Sequence, residues 1–298
     1  MTRRSHYMTR DRWTTRAVEA LEFGLCGVFH FGTLWVPTRW LTGTLAPLGG
    51  WLALMLPGLR RRAKENLSRV WPEMTATRQS EIIRGAGQNF MRLMVEYSRF
   101  RRFAGEVEVV AEGTDHLRAA AETGKGTVIL SAHFGNWEGI RLAARQVGVN
   151  CGILRRHFNN RYLDRYTQNL ITAAGDPILI KGRAGVRQLM AHVARGGTVL
   201  ILVDQRNTGA PLIPFLGHPA ETMLTAAEIA RRAGATILTA RSIRNLAEQR
   251  LEVVFEGPIQ AEAPLDVMAE ANDRISAWIR SEPEQWLWLQ RRWKQKRL

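Results

Sequence analysis

The sequence has few cysteines and contains no internal repeat, low-complexity tract or flexible linker. Among its 298 residues are two cysteines, Cys26 and Cys151, without metal-ligand or disulfide spacing. A disulfide framework is therefore excluded, a cysteine nucleophile is unsupported, and a reduced, cytoplasmic environment is the simplest interpretation. A hydrophobic fraction of 45% with 23% charged residues is ordinary for a globular protein and argues against disorder.

Acidic residues are scarce relative to basic ones. The chain has 27 Asp and Glu against 42 Lys and Arg, which gives a formal net charge of +15. Such a charge implies acidic partners: nucleic acid, anionic lipid or an acidic protein. Several of the 10 tryptophans lie beside apolar runs or arginines near the two ends of the chain, as at a membrane interface. These are Trp35, Trp40, Trp51, Trp286, Trp288 and Trp293. Any one of them could equally be a core residue, but the clustering favours a membrane.

The N-terminal segment lacks an uninterrupted apolar run. Residues Ala17–Leu56 are mostly apolar and are flanked by arginines. Within them, Ala17–Val36 has the roughly 20 residues that a spanning helix needs. It also contains three side chains that are costly at a bilayer centre: Glu19, Glu22 and His30. We therefore predict a membrane-attachment helix within residues 1–59, either spanning the bilayer or lying in its interface, and an α/β domain over residues 60–298.

The pattern after residue 60 begins with helical spacing over Thr77–Phe103 and then alternates short β-rich runs with helical ones. The predicted strands are Val107–Ala111, Thr127–Ser131, Cys151–Leu154, Ile178–Ile180, Thr198–Val203, Thr236–Ala240 and Leu251–Phe255. Alternation of this kind predicts a largely parallel or mixed sheet with helices on both faces. Two of the runs, TVIL and TVLILV, are apolar throughout and should be central strands. The run RSIRNLAEQRLEVVFEG predicts a hairpin, which would make the far edge of the sheet antiparallel.

The first candidate for chemistry is the segment TVILSAHFGNWEGIRLAARQ, in which an apolar strand leads into His133 and a helix begins around Asn136. Ligands of open α/β sheets bind outside the carboxyl ends of strands, where this places His133. On one continuous helix His133 and Glu138 would point about 140° apart, so they meet only if His133 lies on a turn. In that geometry His133 is a general base, Glu138 orients it, and Asn136 is a candidate substrate contact. The alternative is that His133 merely ends a strand and Glu138 is a favourable first-turn acid.

The second candidate is Asp204, which with Gln205 and Arg206 follows the other central strand. We expect Asp204 and Gln205 to lie at the same edge of the sheet as His133 and to bind substrate. The alternative for Asp204 is a loop acid that pairs with Arg206. A proline- and glycine-containing loop follows, and Glu221 is predicted at the start of the next helix.

The third candidate is a basic band beside two other strand ends. It comprises Arg155, Arg156, Asn159, Arg165, Lys181, Arg183 and Arg187. Arginine binds phosphate well through paired hydrogen bonds, so the set suggests an anion site. For each residue singly, a solvated surface charge is the simpler explanation. No further His, Cys or Asp cluster has metal-ligand spacing nearby.

Taken together, the chain resembles the late (secondary) acyltransferases of lipid A biosynthesis, the lauroyl/myristoyl transferase family. The resemblance covers most of the chain and rests on the N-terminal anchor, RRRAKENLSRVWPE, SAHFGNWE, LVDQ with PLIPFLG, and PEQWLWLQRRWK. It implies an αβα sandwich like that of glycerol-phosphate acyltransferases. It also implies a location at the inner membrane with the site on the cytoplasmic side, and His133 and Glu138 as the catalytic pair.

The resemblance also implies the substrates. The donor would be an acyl thioester, usually on acyl carrier protein and otherwise on coenzyme A, and the acceptor a hydroxyl of an acylated, phosphorylated glucosamine disaccharide. No cofactor, metal or covalent enzyme intermediate is implied. Members often carry an arginine in the stretch that here reads ITAAGDPILI, where this chain has none, and the RRHFNN segment also departs from the common form.

Three other functions compete with this one. The first is the same chemistry on another lipid, such as a phosphatidylinositol mannoside or an amino-acid lipid. The second is a basic nucleic-acid-binding protein, but the sequence has no recognition-helix, zinc-finger or RNA-binding signature. The third is a non-catalytic membrane scaffold, against which the presence of both His133 and Glu138 argues.

Overall fold

The computed structural model describes residues 12–33 and 35–293. The residues up to 11, and the side chains of Cys26 and His30, lie outside the described part. The helices are α1 (Arg12–Gly32), α2 (Thr38–Met55), α3 (Pro57–Val70), α4 (Ala76–Ser98), α5 (Phe100–Glu106), α6 (Thr114–Glu122), α7 (Glu138–Gln146), α8 (Arg161–Ile171), α9 (Arg183–Ala194), α10 (Thr225–Ala233) and α11 (Pro264–Ser281). The strands are β1 (Glu108–Glu112), β2 (Thr127–Ser131), β3 (Cys151–Arg155), β4 (Ile178–Ile180), β5 (Thr198–Leu202), β6 (Leu212–Phe215), β7 (His218–Glu221), β8 (Thr236–Asn245) and β9 (Arg250–Phe255).

Seven strands form the main sheet in the order β1-β9-β8-β2-β5-β3-β4. All neighbouring strands pair in parallel except β8 and β9, which form the predicted hairpin. The prediction of a mixed, mainly parallel sheet of about seven strands with flanking helices is therefore confirmed. The hairpin does not end the sheet, because β1 pairs in parallel with β9 outside it.

Strands β6 and β7 form a separate two-stranded hairpin, in a stretch that the sequence predicted as a loop. Its two-residue turn consists of Leu216 (φ 51°) and Gly217 (φ 84°). Two positive φ values in succession match the right-handed twist of the flanking strands, which is why this turn closes a hairpin. Glu221 ends β7 and does not begin a helix.

The central strands are buried on both faces, as their apolar runs predicted. All five residues of β2 are buried. Val128 and Leu130 belong to a core formed with α3, α4, α9, α10 and α11. Ile129, on the opposite face, belongs to a second core formed with α5, α6 and α7. The two cores give a three-layered αβα arrangement and leave the strand ends as the accessible edges.

Helix α2 packs against α4 through small residues. A Cβ atom on Gly49 would lie 2.5 Å from the carbonyl oxygen of Gly87, so only glycine permits this approach. The largest apolar residues of α2 face outward, and Trp40 and Trp51 are 61% and 56% exposed. Among the described helices none is long and apolar enough to cross a membrane. The boundary between residues 59 and 60 falls inside α3.

The tryptophans at the two ends of the chain occupy different environments. Those near the N terminus are exposed, as expected at a membrane interface, and Trp35 is 93% exposed. Trp286, Trp288 and Trp293 are buried at 0%, 0% and 3% exposure. The membrane interpretation is therefore wrong for the C-terminal tryptophans. They pack on one another and against Phe215, because the end of the chain folds back across the carboxyl ends of the strands.

Candidate active site

His133 lies on the turn between β2 and α7. The turn is sharp because Gly135 adopts a φ of 54°. A Cβ atom there would lie 1.8 Å from the carbonyl oxygen of Ser242 in the neighbouring strand β8, so a larger residue would displace the loop. Glu138 is the first residue of α7.

The carboxylate that contacts the His133 ring is that of Asp204, which follows the adjacent strand β5. The Nδ1 atom of His133 lies 2.7 Å from one oxygen of Asp204, and the backbone N–H of His133 donates to the other over 3.0 Å. A carboxylate only accepts, so Nδ1 carries a proton, and in the neutral form of the ring the lone pair lies on Nε2. The His133 side chain is 16% exposed while that of Asp204 is fully buried. This is the arrangement of a general base and its orienting acid.

Two more side chains frame the exposed nitrogen. The amide nitrogen of Gln205 lies 3.3 Å from Nε2 of His133. The ring of Trp137 packs edge-on to the imidazole, with the ring centres 4.9 Å apart. Asp204 and Gln205 therefore lie beside His133, as predicted. Arg206 pairs instead with Glu221, so the alternative pairing with Asp204 is not formed.

The protein holds Asp204 ionised. Burial by itself would raise the pKa of Asp204, but the charge of His133 and the hydrogen bonds from His133 and Trp286 outweigh it. The pKa falls from 3.8 to about 2. A buried carboxylate that is charged throughout the physiological range stabilises the imidazolium that forms when His133 takes a proton.

The segment after α11 supplies contacts that the sequence analysis missed. The indole N–H of Trp286 donates to Asp204 over 2.8 Å, and the side-chain amide of Gln290 donates to the same oxygen over 2.9 Å. The backbone N–H of Leu287 donates to the carbonyl oxygen of His133 over 3.1 Å. The only signal in the sequence was the resemblance of PEQWLWLQ to a family motif, because this segment has no helical or strand periodicity.

Glu138 takes part in a different cluster. It is fully buried, and its carboxylate accepts from the hydroxyl of Tyr97 over 2.7 Å and from Arg141 over 2.5 Å. Burial, followed by the nearby charge of Glu138, raises the pKa of Tyr97 well above 10, so the tyrosine stays a donor. Arg141 also donates to the carbonyl oxygen of Cys151. In the described part of the chain Glu138 and His133 share no hydrogen bond, and Glu138 anchors the start of α7 to its neighbours.

Asn136 supports the loop from inside. Its side chain is fully buried, its oxygen accepts the backbone N–H of Glu138 over 3.1 Å, and its nitrogen donates to Glu96 over 2.8 Å. Glu96 in turn accepts two hydrogen bonds from Arg244, at 2.5 and 2.8 Å. Both polar atoms of the Asn136 side chain are thus used within the protein. Glu96 and Arg244 gave no signal in the sequence, because they meet only across α4 and β8.

The basic band is divided by the fold. Arg155 is 12% exposed and forms an ion pair of 2.6 Å with Asp164. Arg165 belongs to a groove beside Phe23 and Tyr166. The remaining cations are exposed at the carboxyl ends of β3 and β4, where we define the cationic cluster as Arg156, Lys181, Arg183 and Arg187.

The cationic cluster shares a sheet edge with His133. Because β4 is three strands away from β2, the separation is roughly 14 Å. Asn159 lies next to the cluster and accepts a hydrogen bond from Arg156 over 3.2 Å. No ion pair engages these four cations among the described residues.

The described residues give no support for a cysteine nucleophile or a metal site. Burial raises the pKa of the Cys151 thiol to about 12, so the thiol is neutral near pH 7. Across the described residues no three His, Cys, Asp or Glu side chains lie close enough together to hold a metal ion.

Comparison with known proteins identifies related sequences over nearly the whole chain. A family model described as bacterial lipid A biosynthesis acyltransferase matches residues 13–295. The chain is similar to the lipid A biosynthesis palmitoleoyltransferase of Escherichia coli (strain K12) and to the lipid A biosynthesis acyltransferase of Shigella flexneri. Each is 27% identical over 289 residues, which cover 89% of this chain and 90% of the relative.

Proposed function

Because the chain belongs to the bacterial lipid A biosynthesis acyltransferase family, an acyl-transferring family, we propose that it moves a fatty acyl group from a carrier thioester to a hydroxyl of a lipid A precursor. The observation that carries the proposal is the pairing of His133 with Asp204. This pairing leaves a basic nitrogen at the surface of an otherwise buried polar cluster.

The reaction follows from that geometry. The acceptor hydroxyl donates its proton to Nε2 of His133 as its oxygen attacks the thioester carbonyl carbon. Asp204 stabilises the imidazolium that results. The tetrahedral intermediate then collapses, the bond between carbon and sulfur breaks, and His133 returns the proton to the departing thiolate. An ester and a free thiol are formed, and no electrons are exchanged with a cofactor.

Asp204, rather than Glu138, is in our proposal the acid that orients His133. Glu138 is a positioning residue that fixes the start of α7 through Tyr97 and Arg141. The backbone N–H groups of Gly135, Glu138 and Gly139 have acceptors within the protein. Those of Asn136 and Trp137 have none among the described residues, so we assign them to the developing oxyanion. Gln205, beside Nε2, would contact the acceptor hydroxyl.

The donor is proposed to be acyl carrier protein, an acidic protein. Support comes from the cationic cluster, which offers four uncompensated charges on the same edge of the sheet as His133. Electrostatic complementarity of this kind speeds encounter and fixes orientation. The thioester would enter from the side of β4 and reach His133 across β3 and β5.

Attachment to the cytoplasmic face of the inner membrane is also part of the proposal. The exposed apolar residues of α1, of α2 and of the turn between them would insert into the interface between lipid and water. The larger of them are Leu21, Val28, Phe31, Trp35, Trp40, Trp51 and Met55. An apolar surface of this extent is unusual on a soluble protein unless it meets a membrane or another protein.

The test is an acylation assay with the detergent-solubilised protein, acyl-carrier-protein thioester and a tetra-acylated lipid A precursor, followed by lipid mass. The wild type should add one acyl chain. His133→Ala should be slower by about 10²–10⁴-fold, the usual cost of losing a general base. Equal conversion by both proteins would remove His133 from the mechanism. If the wild type acylates only another lipid, the acceptor assignment is wrong and the reaction class survives.

Two further variants separate the carboxylates. Asp204→Asn should lower kcat by a comparable factor of about 10²–10⁴, because an amide can leave the imidazole in the wrong tautomer. Glu138→Gln should mainly lower the free energy of unfolding, because it leaves Arg141 buried without its counter-charge, a loss of about 3–5 kcal/mol. A Glu138→Gln protein that is as stable as wild type yet as slow as Asp204→Asn would reverse the two roles.

A further inference from the structure

A cleft opens beside the candidate active site, between α2 and the end of the β8–β9 hairpin. Its volume is about 890 Å³, and α2, α4, α5 and the hairpin line it. Because β8 runs parallel to β2 and extends further, the end of β8 lies at the same edge of the sheet as His133. The cleft is on the side of β2 opposite to the cationic cluster. One edge of the sheet therefore presents a cluster of cations, then the base, then a cleft.

The cleft is lined by four arginines and four glutamates, and their pairing is uneven. Glu96 is held by Arg244, Glu106 by Arg102, and Glu248 by Arg250. Glu108, at the rim, is the register partner of Arg250. Two of the lining arginines remain outside these ion pairs.

These two cations are Arg39, which is exposed, and Arg92, which is half-buried on α4. Within the described chain neither has an ion pair or a side-chain hydrogen bond. A guanidinium partly withdrawn from water without a counter-charge is unfavourable, and a bound anion would remove that cost. Burial, and then the charge of the neighbouring Arg244, lowers the pKa of Arg92, while the charge of Glu96 opposes the shift.

A hydrogen bond links the wall of the cleft to the catalytic loop, and the mouth of the cleft borders the apolar surface of α2. Glu96 lies in its wall and accepts the side-chain amide of Asn136, midway between His133 and Glu138. At the other end Trp40 and Arg39 line the mouth, beside the exposed apolar residues of α2. A ligand that enters from a lipid surface would thus meet Arg39 first, Arg92 deeper, and the His133 loop beyond.

We propose that this cleft binds the acceptor and that Arg92, with Arg39 at the mouth, holds a phosphate group of its headgroup. This inference rests on the proposed acyl transfer and deepens it, because it assigns the two substrates to opposite sides of His133. The acceptor arrives along α2 and the acidic carrier along the cationic cluster. Two separate entries let both substrates occupy the enzyme at once, as direct transfer without a covalent enzyme intermediate requires.

The test compares the full chain with Arg92→Gln, using the phosphorylated glycolipid and the same lipid after phosphatase treatment. Arg92→Gln should raise KM for the phosphorylated acceptor about tenfold, the cost expected for one charge-assisted hydrogen bond. It should leave KM for the acyl thioester and the turnover of the dephosphorylated lipid unchanged. Arg232→Gln, which removes one exposed charge from α10 at the opposite edge of the sheet, is the matched control.

Binding is measured in parallel by flotation with neutral vesicles that carry either lipid, so that the site is tested even if no transfer occurs. If the wild type binds the phosphorylated lipid better than Arg92→Gln does but does not acylate it, the cleft is supported as a lipid-binding site and the proposed acyl transfer is rejected. Equal effects of Arg92→Gln on both lipids, or no effect on either, would overturn the inference. Competition by inorganic phosphate together with indifference to the lipid's phosphate would show that the cleft binds free phosphate and is not an acceptor site.

Discussion

The carboxylate of Asp204 accepts four hydrogen bonds, two from His133 and one each from Trp286 and Gln290. The donors come from two distant parts of the chain, the turn after β2 and the segment after α11, and together they satisfy a fully buried charge. A buried carboxylate without such partners would protonate and could no longer orient His133. The three donor residues therefore act as one unit, and loss of any of them should weaken the base.

These partners make folding sensitive to acid at Asp204. The folded pKa of about 2 lies below the unfolded value of 3.8, so the stabilisation is fully present above about pH 4 and is lost as the pH falls through 2. Between about pH 6 and about pH 3, wild type should lose roughly 1 kcal/mol more of its free energy of unfolding than Asp204→Asn. Urea titrations at the two pH values measure the difference. Asp273→Asn, at an exposed position of α11, should behave as wild type, and identical losses in all three proteins would contradict the assignment.

At the scale of elements, α2 is an apolar helix whose two faces have opposite uses. Its small residues, Ala46, Gly49, Gly50 and Ala53, are buried against α4 and its neighbours. Four of its large residues are exposed on the other side: Trp40, Leu48, Trp51 and Met55. Hydrophobicity alone does not determine which of these two faces is buried. The choice follows from the close backbone approach of Gly49 and Gly87, which only small side chains permit.

The exposed face of α2 should hold the protein on lipid. Replacing both Trp40 and Trp51 with serine removes apolar area worth more than about 1.4 kcal/mol of transfer free energy, so binding to anionic vesicles should fall at least tenfold. Leu212→Ser with Leu265→Ser, two exposed leucines on β6 and α11, is the matched control. Flotation assays compare the two pairs. Unchanged binding of the tryptophan variant, or equal losses in both, would mean that another surface meets the membrane.

At the scale of the whole molecule, the sheet brings the candidate catalytic and substrate-binding residues to one edge. The excess of basic residues is spread over the chain, but the fold collects Arg156, Lys181, Arg183 and Arg187 near the strand ends that carry His133 and Asp204. Arg231 and Arg232, by contrast, lie at the end of α10, before β8 begins, and so at the opposite edge. Net charge therefore favours acidic partners in general, whereas topology decides where they bind.

A charge-reversal experiment tests this arrangement. Lys181→Glu with Arg183→Glu should raise KM for acyl carrier protein at least tenfold at low salt while kcat changes little, because steering depends on local charge. The difference should shrink as ionic strength rises and screens the charges. Arg231→Glu with Arg232→Glu changes the net charge by the same amount at the other edge. If both pairs raise KM equally, general charge rather than the cationic cluster recruits the carrier.

The sequence by itself determined the class of the fold and the strand ends at which the candidate residues lie. Continuous apolar runs predicted the two central strands because both of their faces are buried, and residues that follow parallel strands must share one edge. His133, Asp204 and Gln205 were therefore predicted together, with the right strands and the right turn. The motifs beyond them identified the family.

Only the tertiary structure decided which carboxylate meets His133. Spacing along the chain favoured Glu138, which lies five residues away, while Asp204 lies 71 residues away. The register between β2 and β5 places Asp204 against the imidazole, and the partners of Glu138 are a tyrosine on α4 and an arginine one helical turn further along α7. The same holds for Trp286, Gln290, Glu96 and Arg244, because contacts between distant segments are set by packing and leave no local pattern in the sequence.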